Sequence, residues 1–136
     1  MQKLNIKFAR FAIFVIYFWF GLLKVIGESP ATPMVKVLFE NTTAKMLPSL
    51  PFSQFIIILG LFEMLIGILF LIPKLTKLVL VLLTLHLITT TMPLFLLPSM
   101  IWTKPWVPTL EGQYIIKNLA IIGLALGIYS SRRSYV

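Results

Sequence analysis

Near the middle of LGLFEMLIGILFLIP, residues 59–73, stands a single carboxylate, Glu63. Apolar surroundings disfavour charge, so an acid there must neutralise or find a cation. The candidates are His86, Lys24 and Lys117, each inside or at the edge of another apolar run. An acid beside an imidazole is a proton-relay pairing, whereas an acid beside an ammonium also serves as plain interhelical glue. If Glu63 and His86 share a site, they titrate as one coupled unit. One His and one Glu are too few for a metal centre, and no HExxH or clustered-His pattern occurs, so no metal is expected. The chain has no cysteine, which excludes disulfides, thiolate ligands and an internal dithiol centre.

The elements that must position these groups are membrane spans. Hydrophobic residues make up 59% of the 136 residues and charged ones 12%, with a mean hydropathy of +0.98. A soluble domain of this size would lack the polar surface to cover itself. Four runs approach the about 20 residues a spanning helix needs, namely 8–26, 52–72, 75–97 and, shortest, 113–129. The expected fold is an all-α integral membrane four-helix bundle in one transmembrane domain. Lys3, Lys7 and Arg10 precede the first run as in a signal peptide, but no small-residue cleavage site follows and Lys24 interrupts its tail, so a retained helix is expected. The net charge of +8 forms no dense basic stripe, so nucleic acid is not an expected partner.

With four spans, Lys3, Lys7, Arg10, Lys74, Lys77, Arg132 and Arg133 fall on one side. The other side's loops hold Lys36, Lys45 and Lys104, diluted by Glu28, Glu40 and Glu111. The positive-inside rule therefore places both termini in the cytoplasm, as in a bacterial-type inner membrane protein. The loops 28–51 and 98–113 then face outward as caps. Both are Pro-rich, and Pro33 to Glu40 is suited to a short interfacial helix. Trp102 and Trp106 suit the headgroup level.

Depth and helical face organise the polar residues. Eleven residues into its span, Glu63 sits about 16 Å down, and His86 lies at nearly the same depth. Lys24 and Lys117 lie nearer the outer ends, where both also have the option of snorkelling to headgroups. At about 100° per residue, Arg10, Tyr17, Gly21 and Lys24 share one face, Gly60, Glu63 and Gly67 another, and His86, Thr90 and Pro93 a third. The expected site is an outward-opening polar pocket of Lys24, Glu63, His86, Thr90 and Lys117, with Trp102 in its loop and Glu111 and Tyr114 of TLEGQYIIKN closing one side. Tyr17 and Trp19 would bound it. Thr89 to Thr91 either repair the helix ladder before Pro93 or lead protons outward. Ala120, Gly123 and Gly127 mark a close helix contact, within the bundle or in a homo-oligomer. Replacing Glu63 by leucine is expected to spare folding and abolish function.

Arg10 with GLLK at 21–24, GLFEMLIG at 60–67, HLITTTMP at 86–93 and GQYIIKN at 112–118 resemble the DoxX-like membrane proteins, and within them the DUF417 branch associated with reactive-chlorine resistance. The resemblance covers most of the chain. It implies a four-helix bundle, and some relatives serve as the membrane subunit of thiosulfate:quinone oxidoreductase or are linked to oxidative stress and thiol maturation. The lack of cysteine departs from direct dithiol exchange but not from quinone contact.

Three functions fit these residues. One is a quinone- or lipid-linked redox or stress-resistance module, with no covalent cofactor. Another is a non-catalytic scaffold for a redox enzyme subunit. The third, a small-molecule transporter, is disfavoured because the inner half offers little beyond Arg10 and Tyr17 to line a path.

Overall fold

The computed structural model describes residues 2–133. Helix α1 spans Gln2–Val25 and α4 spans Phe52–Phe70, joined through the short helices α2, Thr32–Asn41, and α3, Thr43–Met46. A single 3₁₀ turn, Pro73–Leu75, leads into α5, Thr76–Thr91. The small helices α6, Pro93–Leu96, and α7, Pro98–Ile101, precede a hairpin of β1, Trp102–Lys104, and β2, Val107–Pro108, and then α8, Leu110–Arg133. Among the described residues, four segments are long and apolar enough to cross a membrane, Lys3–Val25, Phe52–Phe70, Pro73–Leu96 and Leu110–Arg132. At most 28% of each apolar window is buried within the protein, and large side chains such as Ile58, Leu85, Ile88 and Leu119 point outward. Water would not tolerate such a surface, whereas lipid does. The chain is a multi-pass membrane protein.

The bounds differ from the hydropathy reading at both ends of the chain. Helix α1 starts six residues before Phe8 and α8 three before Gln113, because polar residues such as Lys3, Asn5 and Glu111 lower hydropathy but do not break a helix, and Gly112 is accommodated in the first turn, where Thr109 caps its N–H. The third span is interrupted at Met92, where Pro93 cannot donate to the ladder.

Helices α1 and α4 form the tightest pair, antiparallel and nearly in backbone contact. A Cβ on Gly21 would lie 2.5 Å from the Gly60 carbonyl oxygen, and one on Gly60 2.6 Å from that of Gly21. Further along, Gly67 sits against the backbone of Phe14 and Phe18. This register places the last turn of α1 beside the middle of α4. The main core lies on the other side of that point and gathers Ile13, Tyr17, Ile66, Phe70, Val79, Leu83, Ala125 and Ile128 from all four long helices.

Arg10 closes one end. Its Nη1 donates to the Phe70 carbonyl, 2.9 Å, and its Nη2 to Thr76 Oγ1, 2.8 Å, while Thr76 donates on to the Pro73 carbonyl, 2.7 Å. The guanidinium thus satisfies a carbonyl at the C-terminal end of α4, which has no intrahelical partner, and clips the α4–α5 turn. With Ile128 packed near Ile13 and Val79, the N-terminal part of α1, the α4–α5 turn and the C-terminal part of α8 share this terminal end. Residues 1 and 134–136 lie outside the described residues.

The opposite end carries a cap. Its apolar centre is Leu97, Ile101 and Ile115, with Met34, Val37, Leu38, Leu94, Met100 and Trp102 around it. The expected helix at Pro33 to Glu40 is α2, which turns Phe39 inward onto Phe52 and Phe55 at ring separations of 5.5 and 4.8 Å. Thr109 receives the Gly112 N–H, 3.2 Å, and so caps the start of α8. The hairpin is a small β element within an otherwise helical chain. At its tip Trp106 adopts φ 67°.

Candidate functional site

Three helices bring four polar side chains together where α1 ends beside the middle of α4. Lys24 Nζ donates to Glu63 Oε2 at 2.7 Å, and His86 Nε2 lies 2.8 Å from Glu63 Oε1. On the far side of the imidazole, the Tyr17 hydroxyl lies 3.3 Å from Nδ1. All four residues are buried, with exposures of 5–7%. An ionised Glu63 only accepts, so Nε2 carries the hydrogen of a neutral His86, and Nδ1 is left to accept from the Tyr17 O–H. In that state Lys24 and Glu63 balance, and the network buries no net charge. One added proton places it on His86 or Glu63 and makes the cluster net positive.

The local sequence explains how these groups meet. Tyr17, Gly21 and Lys24 recur at near-helical spacing, so the small glycine faces Gly60 and lets the lysine stem run along α4. Lys24 does not snorkel outward, because the register of α1 holds its last turn at the depth of Gly60. Phe62 packs at 6.1 Å from the His86 ring, and the Tyr17 ring meets it edge-on at 5.4 Å. Apolar walls therefore surround the network, a setting in which charge-assisted hydrogen bonds are strong.

The other expected site residues lie elsewhere. Lys117 is exposed, with its ammonium 6.0 Å from the Tyr114 ring centroid. Helix α8 turns Gly112, Ile115, Ala125 and Ile128 inward, and Lys117, about 200° round from Ile115, must point away. Glu111 and Tyr114, at the start of α8, are exposed as well and close no pocket. Trp102 belongs to the cap, where its Nε1 donates to the Leu94 carbonyl at 3.1 Å. Trp19, about 200° round from Tyr17, faces outward and does not bound the site. Thr90 is half-buried and donates to the Leu87 carbonyl, 3.1 Å. Thr89 donates to the His86 carbonyl, 2.7 Å, and Thr91 to those of Leu87 and Ile88. The three hydroxyls repair the helix before Pro93 and form no chain of donors leading outward. Gly123 and Gly127 have nothing within 4 Å of their added Cβ positions, so they mark no contact inside the bundle.

Two partnerships were not foreseen from the residues alone. Helical spacing puts Tyr17 on the Lys24 face but does not set it against His86, nor does it pair Thr76 with Arg10. Both contacts depend on which helices are neighbours. The effect expected of a leucine at position 63 also changes. Glu63 accepts from two donors, so leucine alone would leave the Lys24 ammonium and the His86 Nε2 hydrogen unpaired and destabilise the bundle. A shallow apolar concavity of about 260 Å³, lined by Leu80, Val81, Thr84 and Leu85, lies on α5 away from the network.

No family model matches the chain, and no curated protein or solved structure matches it either.

Proposed function

We propose that the chain is an inner-membrane module that handles protons for a lipid-soluble redox carrier of the quinone class, in keeping with its resemblance to DoxX-like proteins. The observation that carries the reading is the buried carboxylate Glu63, held between an ammonium and an imidazole whose second nitrogen meets a phenol. Intramembrane ionisable groups are costly and cluster where ions or protons are handled. Lys24 is the movable member. Its long stem lies in the last turn of α1, just before Gly27, whose φ of +80° ends the helix in a left-handed turn. Swinging Nζ off Oε2 exposes one carboxylate oxygen and one ammonium to a ligand. A carbonyl oxygen of the carrier would accept from Lys24, and a hydroxyl would deliver its proton to Glu63, with His86 and Tyr17 adjusting behind it. Electrons pass to or from an attached redox subunit, since the chain has no cysteine with which to hold them.

Both termini and the α4–α5 turn face the cytoplasm in this reading, from the Lys/Arg asymmetry, and the cap faces outward. Reporter fusions after residues 75 and 136 are expected to read cytoplasmic.

A second reading has its own support. No buried side-chain nitrogen or oxygen lacks a partner among the described residues, so the network already ties α1, α4 and α5 together as a scaffold would require. One variant separates the two. Tyr17→Phe, Lys24→Met, Glu63→Leu and His86→Leu together remove every polar member without stranding any, so the bundle should fold. Solvent extraction of the purified wild type should release stoichiometric quinone, and the folded quadruple variant should release none. Bulk phospholipid alone from both would leave the scaffold reading.

A further inference from the structure

The inward stripe of α8 between the cap and the main core carries one polar residue. Ile115, Ile122 and Ala125 face the bundle, and Asn118 stands among them, half-buried and about 20° round the helix axis from the fully buried Ala125. Its side-chain amide has no hydrogen-bond partner among the described residues. An unpaired amide inside a membrane span costs free energy unless something polar meets it. No buried side-chain nitrogen or oxygen among the described residues lacks a partner, so this amide is not sealed in and stands where a molecule from outside reaches it.

The packing on either side sets its depth. Leu83 of α5 and Ala125 of α8 share the main core, and Leu97 and Ile115 share the cap core. Thr90 lies seven residues along α5 from Leu83, and Asn118 seven along α8 from Ala125, so both stand about 10 Å toward the cap from that layer. Lys24 enters from the same side, since its Cβ lies 3.0 Å from where a Cβ on Gly60 would stand, one turn capward of Glu63. Asn118, Thr90 and Lys24 thus share a level between the Glu63–His86 contact and the cap. Helices α4 and α8 each pack on both α1 and α5, so Asn118 stands across the bundle from α4.

We propose that Asn118 is the second polar contact for the lipid-soluble carrier, on the wall across from the Lys24–Glu63 pair; this rests on the reading of the site given above. A quinone ring carries its two oxygens on opposite edges, so a site for it needs polar contacts on two separated elements. Lys24 and Glu63 meet the edge where the proton is exchanged. An amide suits the other edge, because its N–H donates to a carbonyl of the oxidised ring and its oxygen accepts from a hydroxyl of the reduced one. Asn118 therefore holds both forms of the carrier without giving up or taking a proton. The Thr90 hydroxyl, which already donates to the Leu87 carbonyl at 3.1 Å, is left to accept at the same level.

The test compares wild type with Asn118→Leu and with a control, Gln113→Leu, on the exposed face of the same helix. Each is purified in detergent, washed free of extracted lipid, and titrated with a short-chain 1,4-benzoquinone by equilibrium dialysis. Infrared difference spectra of the bound quinone then report its two carbonyl stretches, distinguished by single-site carbon-13 labels. Wild type and control should bind alike, with both stretches lowered from their positions in hexane. Asn118→Leu should bind about tenfold more weakly, with one stretch returned to its position in hexane. Without quinone this variant should unfold no earlier than wild type, because leucine removes an unpaired amide. Quinone bound equally well by wild type and Asn118→Leu, with the same two stretches, would overturn the role of Asn118 and leave the proton-handling site standing. A quinone-free Asn118→Leu that unfolds earlier than wild type would overturn it too, by making the amide structural. Wild type that binds no benzoquinone would refute the carrier reading itself, and this inference with it.

Discussion

Gly60→Ala should separate two helices and open the polar network at the same time. The new Cβ would stand 2.6 Å from the Gly21 carbonyl oxygen and 3.0 Å from Lys24 Cβ. Ordinary contact begins at 3.4 Å, so α1 and α4 must part by about 0.8 Å, and the nearest obstacle is backbone that cannot rotate away. Lys24 and Glu63 sit on these two helices at 2.7 Å, and a rigid separation of that size takes them to about 3.5 Å, beyond a good charged hydrogen bond. Overpacking and the weakened ion pair together should cost about 2–4 kcal/mol. Reversible unfolding in mixed detergent micelles would measure it. In the background lacking all four polar members of the network, the same substitution should cost only the packing part, so the double-mutant cycle reports the coupling. Gly123→Ala and Gly127→Ala, with open space at their Cβ positions, should cost nothing and gain up to about 1 kcal/mol from helix propensity. If Gly60→Ala unfolds within about 0.5 kcal/mol of wild type, the α1–α4 contact does not set the geometry of the network and the reasoning fails.

Lys24→Met leaves Glu63 buried with only His86 as partner and should destabilise the bundle by about 3–5 kcal/mol, measured by the same unfolding assay. Arg10→Lys keeps the charge but cannot span the Phe70 carbonyl and Thr76 together, so about 1.5–3 kcal/mol should be lost, with a smaller further loss when Thr76→Val is added. Trp106→Gly removes a side chain from a left-handed backbone position and should raise stability by about 1 kcal/mol, seen as a higher unfolding midpoint; an unchanged midpoint would mean that bilayer contact of the exposed indole offsets the strain.

The class of the protein was legible in the sequence because a bilayer is a simple solvent. Length and mean hydropathy alone select membrane spans, and a period of 3.6 residues alone places Tyr17, Gly21 and Lys24 on one face and Gly60, Glu63 and Gly67 on another. A lone acid in such a run must find a partner, so Lys24 and His86 were legible as candidates too. The sequence could not choose among the candidates, because Lys24 and Lys117 carry the same charge at similar nominal depth. That choice came from tertiary structure. The Gly21–Gly60 contact slides α1 along α4 until Lys24 reaches Glu63, while the inward face of α8 is taken by Ile115, Ala125 and Ile128 and turns Lys117 out. Hydropathy measures depth along one helix and is blind to the stagger and rotation between helices. Those are set by side-chain volume at the crossing, which is why Tyr17 against His86, and Arg10 across the α4–α5 turn, emerge only once the four helices are packed.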